Sequence, residues 1–218
     1  MTRTLSHPRS QSLDDVQHLV LDDVSWELYE KLLRDIGNRP IRDTYDQGRM
    51  EIMSPLPEHE RPKKLIGRMI EMLSFELNIP MVSFGSTTLR KKEKAKGLEP
   101  DECYYFRNEA KMRGRKRLDL RKDPAPDLVV EIDITTRSVP RQPIYAALGV
   151  PEIWRYDGRR LQCLHLVNEA YYSRKMSLTF PFLEPAQLNQ FIELIEDQDE
   201  TAIVREYVAW VRANEWGR

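Results

Sequence analysis

Residues 125–135, with the sequence APDLVVEIDIT, carry apolar and acidic side chains in alternation. Because successive side chains of a β-strand point to opposite faces, the alternation predicts a strand with one apolar and one acidic face. We expect the apolar face to be buried beneath a long helix formed by residues 58–78. The apolar face comprises Leu128, Val130, Ile132 and Ile134, and the opposite face comprises Asp127, Val129, Glu131 and Asp133.

The spacing of these acids indicates a small polar site. With a rise of roughly 3.3 Å per residue, Glu131 and Asp133 would lie about 7 Å apart, and Asp127 about 13 Å from Glu131, at the mouth of the strand. Crowded carboxylates repel each other and lose hydration unless a metal ion or a cationic partner compensates. The alternative is an edge strand whose polar face meets water.

Apolar periodicity elsewhere predicts several helices. Ser25 is expected to cap a helix that Gly37 ends, and Pro80 is expected to end the long helix. Gly149 is expected to end a helix that begins near residue 140. Two closing helices are predicted for the amphipathic segments PAQLNQFIELIE and ETAIVREYVAWVRANEW.

Strands are predicted between these helices. Residues 40–55 predict a hairpin, with Asp46-Gln47-Gly48-Arg49 as the turn and with Met50, Ile52 and Pro55 leading out of it. Further strands are predicted for MVSFGSTTLRKK, DECYYF, VPEIWRYDG and RLQCLHLVN. We therefore expect one α/β domain over residues 21–218, preceded by a disordered tail at residues 1–20.

Composition narrows the possible functions. The chain has 34 Lys and Arg against 35 Asp and Glu, so no overall field draws it to nucleic acid or to an anionic membrane. No apolar run approaches the roughly 20 residues of a membrane span, and the leading segment MTRTLSHPRSQS lacks the apolar stretch of a secretion signal. Cys103 and Cys163 form no zinc-like or disulfide-rich spacing. We expect a globular protein of the reducing cytoplasm, without membrane association.

A candidate site emerges if the strand that begins at Glu99-Pro100-Asp101 pairs with the acidic strand. Asp101 would then lie beside Glu131 and Asp133, and three carboxylates would converge. Magnesium takes oxygen ligands of this kind and can hold a phosphate substrate through its remaining positions. Such a site fits phosphodiester hydrolysis.

Four segments, DQGRMEIMSPLPEHE, EPDECYYF, PDLVVEIDIT and IYAALGVPEIWRYDG, occur in this order. Together they resemble successive hallmarks of the PD-(D/E)xK restriction-endonuclease-like superfamily, and within it of the bacterial Uma-type group. The resemblance implies a single domain with a mixed β-sheet flanked by helices, and a magnesium- or manganese-dependent endonuclease acting on DNA. By position, it implies that Asp101 and Glu131 bind the metal and that the carbonyl of Ile132 is a further ligand.

The third site residue departs from the family pattern, because Asp133 stands where E-x-K has Lys. Arg141, four residues before Tyr145, resembles the cation that several branches of the superfamily supply from the following helix. Arg stays protonated and matches phosphate geometry, but it is a poor proton acceptor. Asp133 is therefore interpreted either as an additional metal ligand or as the mark of a degenerate site.

Two further features have alternative readings. Glu60, beside His59, could reach the metal or could be an exposed helix N-terminal residue. The basic run at residues 111–122 could bind phosphates or could be a solvated loop.

Three hypotheses for the function remain. The first is an endonuclease acting on DNA, with a homodimer as a possible state. The second is a catalytically degenerate nuclease-fold protein that acts as a binding or regulatory module. The third is a phosphohydrolase of small nucleotides, which requires a closed pocket.

Overall fold

The computed structural model describes residues 18–37, 39, 41–54, 57–134, 137–214 and 216. Within these residues, strands form a five-stranded and a six-stranded sheet. The strands are β1 (His18–Leu21), β2 (Arg42–Asp46), β3 (Arg49–Met53), β4 (Val82–Ser83), β5 (Leu89–Lys91), β6 (Lys96–Leu98), β7 (Glu102–Tyr105), β8 (Leu128–Ile132), β9 (Glu152–Tyr156), β10 (Leu161–Val167) and β11 (Ala170–Arg174). The helices are α1 (Trp26–Ile36), α2 (Pro57–Glu76), α3 (Glu109–Met112), α4 (Gln142–Leu148), α5 (Asn189–Ile192) and α6 (Glu200–Ala213), with 3-10 turns at Lys92–Lys94, Pro185–Leu188 and Glu193–Glu196.

The six-stranded sheet has the order β11-β10-β9-β8-β7-β4. Its β8 and β9 are parallel, whereas β8 and β7 are antiparallel, so the predicted mixed sheet is confirmed. The five-stranded sheet has the order β1-β3-β2-β6-β5 and only antiparallel neighbours. This second sheet was not predicted as a separate layer.

Local sequence signals place several boundaries as expected. Ser25 Oγ accepts a hydrogen bond from Leu28 N at 3.2 Å and caps α1, which Gly37 ends with a φ of 60°. In the turn between β2 and β3, Gln47 and Gly48 have φ values of 49° and 100°, and both therefore adopt the left-handed region that a tight hairpin turn requires.

The apolar face of β8 packs beneath α2, as the alternation predicts. Leu128, Val130 and Ile132 are fully buried against the apolar stripe of the helix, and this core extends to α5 and α6. The stripe comprises Leu65, Ile66, Met69, Ile70 and Leu73. None of the described helices is long and apolar enough to cross a membrane.

The opposite face of the six-stranded sheet packs against α4 and against the five-stranded sheet. Val129 of β8 shares a core cluster with Ile144 and Leu148 of α4 and with Leu89 and Leu98 of the other sheet. The acidic positions of β8 therefore face a junction where α4 and both sheets meet.

Some boundaries differ from the predictions. The segment MVSFGSTTLRKK is not one strand, because Gly85, with a φ of 56°, turns the chain between β4 and β5 in different sheets. The long helix ends at Glu76, before the left-handed Asn78 at φ 51°, and not at Pro80. Residues 18–20 belong to β1, so the predicted disordered tail is wrong for them, and residues 1–17 lie outside the described residues.

Candidate active site

The pairing of β7 with β8 brings Asp101 and Glu131 together. Glu102 pairs with Val130, so Asp101 precedes β7 directly opposite Glu131. Asp101 Oδ2 accepts a hydrogen bond from the backbone N–H of Ile132 at 2.7 Å, which fixes its side chain against β8. Asp101 and Glu131 are only 5% and 4% exposed. Two carboxylates thus lie side by side, away from water.

Helix α4 holds one oxygen of Glu131. Tyr145 donates its hydroxyl to Glu131 Oε1, and Arg141 Nη2 lies 3.1 Å from the same oxygen. Arg141 is the N-cap residue of α4, and Tyr145 lies one turn later on the same side of the helix. The other oxygen, Oε2, is buried and has no hydrogen-bond partner among the described residues.

The environment of Glu131 makes its charge costly. Burial raises the pKa of Glu131 to about 7, Arg141 and Arg137 oppose this rise, and the neighbouring Asp101 adds to it. A bound cation would favour the ionised form of such a carboxyl group.

Arg141, the predicted site cation, is itself buried. Its Nη2 also donates to the backbone carbonyl of Glu99, and its guanidinium lies 5.8 Å from the centre of the Tyr145 ring. Nε and Nη1 of Arg141 are buried without hydrogen-bond partners among the described residues. Arg141 therefore orients Glu131 with one nitrogen, whereas its other two nitrogens donate no hydrogen bond among the described residues.

Asp133 does not converge with the other two acids. It is partly exposed and pairs with Arg137 Nε at 3.7 Å and Arg155 Nη1 at 3.8 Å. Among the described residues, the group of three potential ligands whose atoms all lie within 4.8 Å of one another is Glu152, Cys163 and His165, at another place in the sheet. The expected convergence of three carboxylates is therefore wrong, because β8 ends at Ile132 and Asp133 turns toward arginines at the rim.

Arg137 is a site residue that the sequence reasoning missed. Its Nη2 lies 3.7 Å from Glu131 Oε2, and its Nη1 donates to Met53 Sδ at 3.3 Å. Its side chain is buried, and its Nε has no hydrogen-bond partner among the described residues. The available signal was its position as the first cation after the acidic strand, four residues after Asp133.

A second set of polar residues enters from the five-stranded sheet. Arg42 of β2 lies 3.7 Å from Asp101 Oδ1 and 3.4 Å from Glu99 Oε2. Burial raises the pKa of Glu99 to about 7, an effect that the buried Asp43 increases. Asp43 Oδ2 in turn accepts the hydroxyl of Tyr29 at 2.8 Å. The positions of Arg42, Asp43 and Tyr29 in the sequence do not predict that they lie near Asp101.

The start of α2 contributes His59 to the site surroundings, and not Glu60. His59 is buried, and its Nε2 has no hydrogen-bond partner in the described part of the chain. Burial lowers the pKa of His59, whereas the nearby Asp101 raises it. Glu60 instead pairs with Lys63 at 3.3 Å.

A cavity of about 560 Å³ opens beside Glu131. Its charged lining consists of Glu131, Asp133 and the guanidinium groups of Arg137, Arg141 and Arg155. Acids that can hold a cation and arginines that can hold an anion therefore border the same space.

The donor set fits a hard divalent cation. In Asp101 one oxygen is fixed by a backbone N–H, and in Glu131 one oxygen is fixed by Tyr145, so each carboxylate is oriented by a neighbour, as metal-ligating carboxylates usually are. The second oxygen of Glu131 is buried and unpartnered among the described residues, which is unfavourable unless a further group binds it.

The chain is similar to known proteins in structure and in sequence. A solved structure described as a putative nuclease belonging to DUF820, from Anabaena variabilis ATCC 29413, is similar at a TM-score of 0.46 and 12% identity, over 82% of this chain and 97% of that chain. No curated protein matches the sequence. The Uma2 family, described as putative restriction endonuclease, matches residues 26–196. Because that match spans most of the chain, the protein belongs to the Uma2 family of restriction-endonuclease-like proteins.

Proposed function

We propose that the protein is a metal-dependent endonuclease that hydrolyses DNA phosphodiester bonds, with Asp101 and Glu131 as metal ligands. The observation that carries the proposal is the buried oxygen Oε2 of Glu131, which lacks a hydrogen bond among the described residues and lies beside arginine nitrogens that also lack one. Carboxylate oxygens suit magnesium or manganese, and guanidinium groups suit phosphate. Membership of a family of restriction-endonuclease-like proteins supports the same assignment.

Each residue has a distinct proposed role. Asp101 and Glu131 would hold the metal, with the carbonyl of Ile132 as a further ligand. A bound Mg²⁺ or Mn²⁺ would supply an activated water and stabilise negative charge on the phosphate. Arg141 fixes the orientation of Glu131 and offers Nε and Nη1 toward anionic oxygens. Asp133, at the rim, would hold Arg137 in place and could reach the metal through water.

The decisive experiment is cleavage of plasmid DNA by the purified chain in magnesium, in manganese and in chelator. We expect cleavage only with metal, and its loss in Asp101→Asn. Asp119→Asn is the matched control, because Asp119 is a partly exposed acid whose two carboxylate oxygens are bound by Arg121. Metal-independent cleavage, or equal activity in both variants, would contradict the proposed site.

A second candidate function is a catalytically degenerate binding module. The observation that favours it is that Asp133 replaces the Lys of E-x-K and pairs with Arg137 and Arg155. Substitution Asp133→Lys separates the two candidates: it should abolish cleavage if Asp133 assists the metal and raise it if Asp133 marks degeneration. No cleavage before or after the substitution would leave the binding module as the better account.

Three finer assignments stay predictions. A cytoplasmic location follows from the sequence expectations, and a homodimer is tested by light scattering of the purified protein. Hydrolysis of small nucleotides, with no action on plasmid DNA, would favour the phosphohydrolase hypothesis.

A further inference from the structure

A second cleft, of about 340 Å³, lies between α1, β5 and the loop after α3, and Asp43 and Glu99 also line it. Its walls come from different parts of the chain. One wall contains Arg34, in the last turn of α1, and Arg90 of β5, and the other contains Lys116 and Arg117 of the loop after α3. Cations therefore face the cleft from both sides.

These four cations form no ion pair with any described acid, unlike other cations of the same loop. Paired cations in the loop are held by neighbouring carboxylates at 2.6–3.4 Å, and their charge is locally compensated. The paired set is Arg113 with Glu109, Arg115 with Asp123, and Arg121 with Asp119. Within the basic loop, Lys116 and Arg117 therefore border the cleft without an acidic partner among the described residues, whereas the charges of Arg113, Arg115 and Arg121 are compensated.

The floor of the cleft contains two acids that already have partners. Asp43 accepts the hydroxyl of Tyr29 at 2.8 Å, and Glu99 pairs with Arg42 at 3.4 Å. An anion would therefore be held at the cationic rim and not on the floor. Arg42, the partner of Glu99, also lies 3.7 Å from Asp101 Oδ1, so the cleft borders the surroundings of a candidate metal ligand.

We infer that this cleft binds the sugar–phosphate backbone of DNA next to the bond that is cleaved. The inference rests on the proposed function, since the cleft is lined by Glu99, whose partner Arg42 contacts the candidate metal ligand Asp101. Arg34 and Arg90 contact backbone phosphates from one wall, and Lys116 and Arg117 contact them from the other. The hydroxyl groups of the lining residues Thr87 and Thr88 supply further donors to phosphate oxygens.

The test is binding of a fluorescein-labelled DNA duplex to the full chain, measured by fluorescence anisotropy in chelator over a series of salt concentrations. Removing two phosphate contacts in Lys116→Gln/Arg117→Gln should weaken binding about tenfold and reduce the slope of log K against log salt by about 2. Arg34→Gln/Arg90→Gln, on the opposite wall, should act in the same direction.

Arg113→Gln/Arg121→Gln is the matched control, because it removes two positive charges from the same loop at residues that are paired with acids. We expect less than a twofold change, and thermal melting shows whether each variant is folded. Equal losses in the control and in the cleft variants, or no salt-dependent binding by the unmodified chain, would overturn the inference. If RNA bound more tightly than DNA and the cleft variants weakened its binding more than the control did, the cleft would be assigned to RNA, which would also overturn the inference.

The outcomes separate this inference from the proposed function. If the chain binds DNA with the expected difference between variants but cleaves no DNA in magnesium or manganese, the DNA-binding cleft is supported and the proposed nuclease activity is contradicted. If the chain cleaves DNA but all variants lose affinity equally, the nuclease activity is supported and the DNA-binding cleft is contradicted.

Discussion

Glu131 of β8 and Glu152 of β9 are buried acids on neighbouring strands, yet their surroundings differ. Both oxygens of Glu152 are occupied: Oε1 accepts from Trp154 Nε1 at 2.8 Å and Cys163 Sγ at 3.2 Å. Oε2 accepts from the backbone N–H of Thr179 at 2.8 Å and from its hydroxyl at 2.6 Å. Glu131 uses one oxygen in this way and leaves the other without a hydrogen bond among the described residues.

The comparison shows that proximity of ligand atoms does not by itself identify a functional acid. Glu152, Cys163 and His165 satisfy a distance criterion for metal binding, which Asp101, Glu131 and Asp133 do not. However, the oxygens of Glu152 are used to join Thr179 to the sheet, which is a structural role. Buried polar groups are normally hydrogen-bonded, so an acid left incomplete beside cations is the better candidate for ligand binding.

The largest expected effect is on stability, at Glu152. Glu152→Ala would leave four donors without their acceptor in a fully buried place. We expect the free energy of unfolding to fall by about 3–5 kcal/mol, since each unsatisfied buried group costs roughly 1–3 kcal/mol and the effects overlap. Urea denaturation measures this.

The matched variant for this prediction is Glu131→Gln in metal-free buffer. It keeps the shape of the side chain and removes a charge that burial makes costly, so we expect a change of no more than about 2 kcal/mol at neutral pH, without the loss expected for Glu152→Ala. If both variants lost stability equally, the distinction between a structural and an incomplete acid would fail.

The second effect is stabilisation by metal. Magnesium or manganese at about 100 times its dissociation constant should stabilise the unmodified chain by about 2.7 kcal/mol, because the ion binds the folded state. Glu131→Gln should remove this stabilisation, and Glu152→Gln should retain it. Thermal melting with and without the metal measures the difference. If the metal stabilised Glu131→Gln but not Glu152→Gln, the metal site would instead be assigned to the cluster of Glu152, Cys163 and His165.

The third effect is a pH dependence of the metal-free protein. The pKa of Glu131 is raised from its ordinary value of 4.5 to about 7, so the folded state binds the proton more tightly than the unfolded state. The stabilisation is fully present below about pH 4.5 and is lost as the pH rises to about 7. Between about pH 5 and pH 8, the unmodified chain should lose on the order of 2 kcal/mol relative to Glu131→Gln. Parallel stability curves for the two proteins, from denaturation in chelator, would contradict the assignment.

The sequence predicts the centre of the fold better than its periphery. The alternation in β8 and the apolar stripe of α2 are strong periodic signals. They correctly predict that the side chains of Val130 and Leu65 are buried. The strand β6 was missed because its residues, Lys96–Leu98, lie in a charged segment and pair with β2, which is about fifty residues away. Such pairing depends on long-range contacts that local periodicity does not record.

The same reasoning explains what was found and missed in the candidate site. Asp101 and Glu131 lie on successive predicted strands, so antiparallel pairing was enough to bring them together. Arg137 and Arg42 were missed because they enter from a loop and from the other sheet. The predicted position of Asp133 was wrong because the prediction continued the strand to Ile134, whereas β8 ends at Ile132.

A third buried acid, Glu51 of β3, extends the comparison and gives the smallest expected effect. Its Oε1 accepts the backbone N–H of Ser138 at 2.7 Å and lies 2.6 Å from His18 Nε2, and its Oε2 has no hydrogen-bond partner among the described residues. Ser138 follows Arg137 in the chain, so Glu51 positions the loop that brings the guanidinium to Glu131. It contacts neither candidate metal ligand in the described structure.

Glu51→Ala, which removes the acceptor for Ser138 N–H, should therefore lower cleavage about tenfold, the lower end of the effects seen for residues that orient a metal site. The expected signature of a positioning role is a reduced rate with metal-induced stabilisation retained, because Asp101 and Glu131 are unchanged. His18→Gln is the control: it replaces the other partner of Glu51 Oε1, keeps the bond to Ser138, and should change the rate less than twofold. If Glu51→Ala abolished metal stabilisation, the oxygen of Glu51 that lacks a hydrogen bond would itself mark a metal ligand, and the distinction drawn between Glu131 and Glu152 would extend to Glu51.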